Sequence, residues 1–246
     1  MQILPLLVSH GERWFICTFA GRGGHLAVLQ WARAQRPPAP WGSTCSYAAN
    51  GGHLALLQWA RAQNPPAPWD ASTCSAAAEG GHLKLLQWAC AQRPPAPWNA
   101  STCSAAAEGG HLQLLQWARD QNPPAPWDEH TCWYASSRGH LALLEWARAQ
   151  GAPWDEATCS AAASGTGACK AAASGGHLAL LQWARARGFQ WDEATCSAAA
   201  RGGHLELLQW ARAQNPPAPW DESTCTEAAD GSHLALLQWA RAQQAP

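Results

Sequence analysis

Along residues 83–90, Leu83, Leu85, Leu86, Trp88 and Ala89 recur at helical spacing while Lys84 and Gln87 fall on the opposite side. At 100° per residue these apolar positions cover about 220° of a helix surface, an arc that needs burial on more than one side. The pattern predicts a helix from about His82 to Gln92. A shorter run of small residues, Thr73 to Ala78, precedes it and predicts a first helix. Asp70 is placed to cap that helix by accepting from free backbone N–H groups. Trp69 and Cys74 stand at the two ends of a hydrophobic staple. Gly80-Gly81 ends the helix. Neither helix reaches the ~12–15 residues at which an isolated helix becomes marginal in water. A single unit therefore cannot stand alone, and stacking of like units must stabilise it.

The stacking partners are present in the chain. Gly-His-Leu, or Ser-His-Leu in the last copy, marks eight units at His25, His53, His82, His111, His140, His177, His204 and His233. Each His follows a Cys by eight residues (Cys17, Cys45, Cys74, Cys103, Cys132, Cys169, Cys196, Cys225) and precedes a Trp by six (Trp31, Trp59, Trp88, Trp117, Trp146, Trp183, Trp210, Trp239). Seven more Trp, from Trp41 to Trp220, sit in the connections. The expected architecture is all-α: an N-terminal segment 1–11, then a helical solenoid of about eight helix-turn-helix units. Their approximate bounds are 12–40, 41–68, 69–97, 98–126, 127–153, 154–190, 191–219 and 220–246. Five connections read Arg or Asn followed by Pro-Pro-Ala-Pro, beginning at Arg36, Asn64, Arg93, Asn122 and Asn215. Proline ends the second helix there and predicts a stiff, extended link. The sixth unit carries its first-helix segment twice, at 159–165 and 169–175. Ten residues turn a helix by about 1,000°, roughly 80° short of whole turns, so one continuous helix cannot point both Cys inward. One copy should form the helix, with the chain looping out between about Gly165 and Ala168.

The segment Thr-Cys-x-x-Ala-Ala-x-x-Gly-His-Leu-x-x-Leu, followed by a polar residue and Trp, resembles the ankyrin repeat. The resemblance runs over about residues 12–246 and is nearest to short, Trp-rich arrays with Pro-Trp-Asp-Glu between units, seen in algae, oomycetes and large DNA viruses. The family's Thr-Pro-Leu-His is absent, and the repeat here spans 27–29 residues in its regular copies instead of 33. The shortfall lies in the connection, so the resemblance implies ankyrin-like units lacking the long β-hairpin finger, together with a role in protein binding.

Composition narrows the function further. Lys+Arg 16 against Asp+Glu 17 gives a net charge of −1, so the chain has no global attraction for nucleic acid or anionic lipid. Ten Cys in 246 residues is too sparse for a disulfide scaffold. The apolar run Ile3–Val8 is too short for a secretory core or a membrane span. These features predict a soluble intracellular protein, cytoplasmic or nuclear, in a reducing setting. Of the 17 Trp, 15 belong to the two repeating columns, so their excess reflects repetition and not an aromatic binding surface.

The repeated Cys-x7-His pair suggests zinc or a thiol nucleophile, but a dyad is needed once and a zinc site needs four converging ligands. The Cys is expected to be a small buried hydrophobe and the His a turn residue bonding the backbone. Cys90 stands apart, because seven repeats carry Arg there (Arg33, Arg61, Arg119, Arg148, Arg185, Arg212, Arg241). That column should lie at the edge of the apolar arc in the last turn, where a cation suits the helix dipole and reaches water. Cys90 is therefore the expected accessible thiol. In near-identical copies, specificity must lie where the copies diverge. The fifth places His130, Trp133, Tyr134 and Arg138 where others carry Ser, Ser, Ala and Glu, and Trp, Tyr and Arg are enriched at binding hot spots. Tyr47 and Phe19 share the Tyr134 column. The residue before the glycine turn also varies, and Asn50, Glu79 and Glu108 are its partner-binding candidates. The expected function is a noncatalytic protein-interaction scaffold with an unknown protein partner. No cofactor, metal, small-molecule substrate, membrane or nucleic acid is expected. The alternative from another class is a helical-repeat nucleic-acid binder, which would want a basic stripe and a base-reading pair in each repeat.

Overall fold

The computed structural model describes residues 10–153, 167–188 and 191–243. The chain divides into two compact units, 1–126 and 127–246. Among the described residues every regular element is a helix.

The first unit holds four helix pairs: α1 (His10–Arg22) with α2 (Leu26–Ala34), α3 (Thr44–Asn50) with α4 (Leu54–Arg61), α5 (Ala71–Glu79) with α6 (Leu83–Cys90), and α7 (Ala100–Glu108) with α8 (Leu112–Arg119). The second holds α9 (Glu129–Ser137) with α10 (Leu141–Ala149), α11 (Gly167–Ser174) with α12 (Leu178–Ala186), α13 (Glu193–Arg201) with α14 (Leu205–Arg212), and α15 (Glu222–Asp230) with α16 (Leu234–Ala242). First helices stack in series, α1 on α3 on α5 on α7 in one unit and α9 on α11 on α13 on α15 in the other. Their small side chains permit this. Cys74, Ala77 and Ala78 of α5 are buried, and so are Cys103, Ala106 and Ala107 of α7. α1 starts at His10, two residues before the expected start of the array, and is longer than the first helices that follow.

The capping prediction holds in detail. Asp70 extends to φ −146° and its carboxylate accepts from the Ser72 N–H, while Thr73 Oγ1 accepts from the Asp70 N–H, a reciprocal box. Asn99, Asp128, Asp192 and Asp221 cap the corresponding helices. In the second repeat the chain is one residue shorter before the helix, and Ser43 at the cap makes no side-chain bond.

Two expectations about the second helix need correction. It ends at Cys90, not Gln92, and its buried stripe is narrower, comprising Leu85, Leu86 and Ala89. Leu83 and Trp88 are only half-buried. Trp88 instead meets the connector Trp69 edge-to-face, with ring centroids 5.8 Å apart. The connections are also not straight spacers. The Arg-Pro or Asn-Pro bond that opens each Pro-Pro-Ala-Pro run is cis. The run then returns to its own helix: Ala67 N–H donates to Ala60 O at 3.0 Å, and Ala96, Ala125 and Ala218 do the same. Burial of the connector Ala at the helix end explains why an apolar residue recurs between the prolines.

In the sixth repeat the second copy forms the helix. α11 packs on both α9 and α13, and Cys169 is buried. Its helix already includes Gly167 and Ala168, so these two residues do not belong to the expected loop, whose remaining part lies outside the described residues. The first copy at 159–165 and segment 1–9 lie outside the described residues.

Candidate partner-binding surface

Two hydrogen-bonded lattices fix the main chain and thereby decide which side chains are left to vary. The first is made by the histidines. Each sits just before its second helix with ψ near +70°, and within each unit the Nε2–H of His53, His82, His111, His177, His204 and His233 donates to a carbonyl of the preceding repeat. His53 reaches Arg22 O at 3.2 Å, His82 reaches Asn50 O at 2.8 Å, and His111 reaches Glu79 O at 2.9 Å. In the second unit His177 reaches Ser137 O, His204 reaches Ser174 O and His233 reaches Arg201 O. The turn glycine is part of the same contact. Gly81 holds φ +72°, and a Cβ there would stand 2.5 Å from the His111 ring.

The second lattice was not visible from the spacing alone. The Arg of the last helical turn does not simply extend to water. Arg61 Nη1 donates to the connector Ala67 O at 2.5 Å, and its guanidinium lies 4.0 Å from the Trp69 ring centroid. Arg119 and Arg212 hold Ala125 O and Ala218 O at 2.7 and 2.6 Å, and Arg33 holds Ala39 O. The column Cys lies against this cluster, with Cys103 Sγ 3.8 Å from Ala125 O. Burial pushes the Cys45 thiol up to about 11, although the neighbouring Arg61 opposes the shift. It pushes Cys196 up to about 12. Thiols so placed are poor nucleophiles and poor metal ligands at neutral pH. Among the described residues no group of three or more His, Cys, Asp and Glu side chains is arranged to hold a metal ion.

The outward side of the first helices lies outside both lattices. In the first unit Phe19 and Tyr47 occupy one column and are 62% and 40% exposed. Phe15 lies one helical turn from Phe19, with ring centroids 6.3 Å apart. Tyr47 is followed by Asn50, whose Nδ2 donates to Glu79 Oε2 at 3.2 Å across α3 and α5. Glu108 is the half-buried counterpart on α7. The variable column before the glycine turn is thus the same residue whose carbonyl the next His holds. The clamp takes its carbonyl and not its side chain, which is why Arg22, Asn50 and Glu79 can interchange.

In the second unit His130 is exposed in the first turn of α9, with Nδ1 3.4 Å from Asp128 and 3.9 Å from Glu129. Trp133 remains 38% exposed and stacks edge-on against the half-buried Tyr134 at 4.9 Å. Arg138 belongs elsewhere than expected. It is the C-cap of α9 at φ −98°, the position of Gly80 and Gly109, and Ser137 takes the Glu column. Its side chain is exposed, one residue beyond the variable column. On the same face, Arg201 forms a two-pronged pair with Glu227 between α13 and α15, which holds the Arg201 guanidinium above its ordinary pKa.

Sequence reasoning missed Phe15 and the exposed Trp31, which is 57% accessible. The signal was available: the first repeat has Glu12, not Trp, at the connector position, where Trp41 and Trp69 stand edge-on to Trp59 and Trp88 in the repeats that follow. No described helix is long and apolar enough to cross a membrane. No protein-family model and no curated protein matches this chain.

Proposed function

We propose that the chain is an ankyrin-like repeat protein acting as a noncatalytic interaction scaffold inside the cell, and that a protein partner seats on the outward face of the first helices. The observation that carries this reading is the exposure of Phe19, Tyr47 and Trp133 at positions that are Ala or Ser in most other repeats. Exposed large aromatics cost solubility and contribute little to folding when they face water. Their natural use is to anchor a partner. Asn50, Glu79 and Glu108 flank the first-unit aromatics, and His130 and Arg138 flank the second-unit pair, giving the polar rim that such anchors need.

The test uses the full chain beside a variant carrying Phe19→Ala, Tyr47→Ala, Trp133→Ser and Tyr134→Ala, each a residue found in that column elsewhere in the array. Proteins retained from native cells by the first and lost by the second are identified, and their binding to the purified chain is measured calorimetrically. Loss of at least tenfold in affinity, about 1.4 kcal/mol, with unchanged helical content supports the reading. Equal affinity of both chains for every retained protein would remove it.

A further inference from the structure

Among the described residues Ser232 is the one non-glycine residue with a left-handed backbone, at φ +60°. It occupies, in the eighth repeat, the turn position that is glycine in the other seven. Left-handed backbone explains glycine there only in part. A Cβ on Gly24, Gly52, Gly81, Gly139, Gly176 or Gly203 would also lie 2.4–2.6 Å from the His ring of the following repeat. That ring is held by its bond to the residue two before the glycine, as His233 Nε2–H donates to Arg201 O at 2.9 Å beside Gly203. The glycine is therefore the opening that admits the next repeat's clamp. Ser232 fills it with a Cβ and a hydroxyl.

Around Ser232 the eighth repeat presents one half of an inter-repeat interface. Ala229 is exposed and Leu237 half-buried, whereas their counterparts Ala200 and Leu208 in the seventh repeat are 0% exposed. Cys225 joins Cys90 as a half-buried thiol, while Cys196 is buried. The other half is on the first repeat. His25 is exposed, and Val28 is 45% exposed where Leu56 and Leu85 of its column are buried. The charges match as well. Exposed Asp230 and exposed Arg22 belong to the column in which Asn50 Nδ2 donates to Glu79 across adjacent repeats. The surface that fits the eighth repeat is thus the first repeat of a second copy, and head-to-tail contacts of that kind build rings or open filaments. We propose that Ser232 is a stop residue: it bars His25 of a second copy from the Asp230 carbonyl and so keeps copies of this chain from joining end to end. The register of the array would bring that ring to the residue-232 Cβ at the separation found at the six glycines. Ser232 lies in the turn, so the inference stands apart from the partner-binding reading of the first helices.

The test compares self-association of the full chain and its variants by sedimentation velocity over a hundredfold range of concentration, with helical content checked by circular dichroism. The unaltered chain should remain a monomer. Ser232→Gly, which restores the residue of the other seven repeats, should associate at least tenfold more tightly, in species that grow with concentration. Ser232→Ala keeps the Cβ and removes the hydroxyl, and should stay monomeric. Adding His25→Ala or Arg22→Asp to Ser232→Gly should return the monomer. Arg22→Asp leaves the residue-22 carbonyl, and with it the His53 contact, in place. The proposal is overturned if Ser232→Gly sediments like the unaltered chain, if Ser232→Ala associates as readily as Ser232→Gly, or if association of Ser232→Gly survives both second changes.

Discussion

The turn-and-connector side of each repeat and the outward face of its first helix use sequence in opposite ways. At the turn and connector, histidine and arginine recur because each completes a bond to main chain, the turn glycine leaves room for the next His ring, and the connector tryptophan stacks under the Arg guanidinium. His111 holds Glu79 O, Arg119 holds Ala125 O, and Ala125 N–H returns to Ala118 O. A change there takes a bond from a main-chain carbonyl, exposed at the His111 contact and part-buried at the Arg119 contact. On the outward face the side chains at the Tyr47 and Glu79 positions range over Phe, Tyr, Ala and Glu, or over Arg, Asn, Glu, Ser and Asp. Nothing in the lattice depends on them. Repetition thus marks the frame, and its interruption marks the surface on which a partner could be selected.

Substitutions should divide along the same line. Gly81→Ala is expected to be the most damaging single change on the lattice side. It forces Ala to φ +72° and sets Cβ 2.5 Å from the His111 ring, which cannot move without releasing Glu79 O. A loss on the order of 3 kcal/mol follows from the left-handed backbone and the broken clamp, read from urea unfolding of the full chain. A loss below about 0.5 kcal/mol, within the range of an ordinary surface change, would show that the His clamp is dispensable.

Alkaline pH tests the same side through the thiols. Cys45 titrates at about 11 in the fold, against 9.0 for an unperturbed thiol. Above pH 9 the unfolded chain therefore holds fewer protons at this site than the folded one, and stability falls as pH rises. The loss should develop between pH 9 and about 11 and then level off. Each tenfold difference in proton affinity between the two states is worth ~1.4 kcal/mol, which brings the whole loss to about 3 kcal/mol. Cys45→Ala should flatten that part of the urea-stability profile, and an unchanged profile would contradict the burial argument.

Arg61→Ala removes both the bond to Ala67 O and the stack on Trp69. About 2 kcal/mol is expected, from a charged hydrogen bond and a cation–π contact that remain partly open to water. Hydrogen exchange should show the Ala67 N–H losing protection along with the loss of stability. Asp70→Ala removes the cap of α5 and should cost about 1 kcal/mol. Thermal unfolding of the two variants should rank them in that order, and a larger loss from Asp70→Ala would displace the connector lattice from its assigned importance.

Much of the frame was legible because period, cap and turn are local. Asp70 announces the start of α5, Gly80-Gly81 its end, and the eightfold His spacing the stack. What stayed hidden depends on where long side chains turn. Arg61 looks like a solvated cation at a helix end, yet its length lets it fold back to a carbonyl six residues ahead. Trp88 counts as core by periodicity but is half-exposed, because its cover is the rim of Trp69 and not another helix. Of the surface, the divergent residues themselves were legible. Their setting was not: Arg138 needed the observed end of α9 to place it at the cap.

The most direct test of the surface assignment places a photo-cross-linking amino acid at Tyr47 in one chain and at the exposed Gln87 of α6 in another, and irradiates both in native cells. A partner seated on the first helices of the first unit should give a discrete cross-linked species from position 47 that disappears with Phe19→Ala, and none from position 87. Equal cross-linking at the two positions, or a partner captured only from position 87, would refute the assignment.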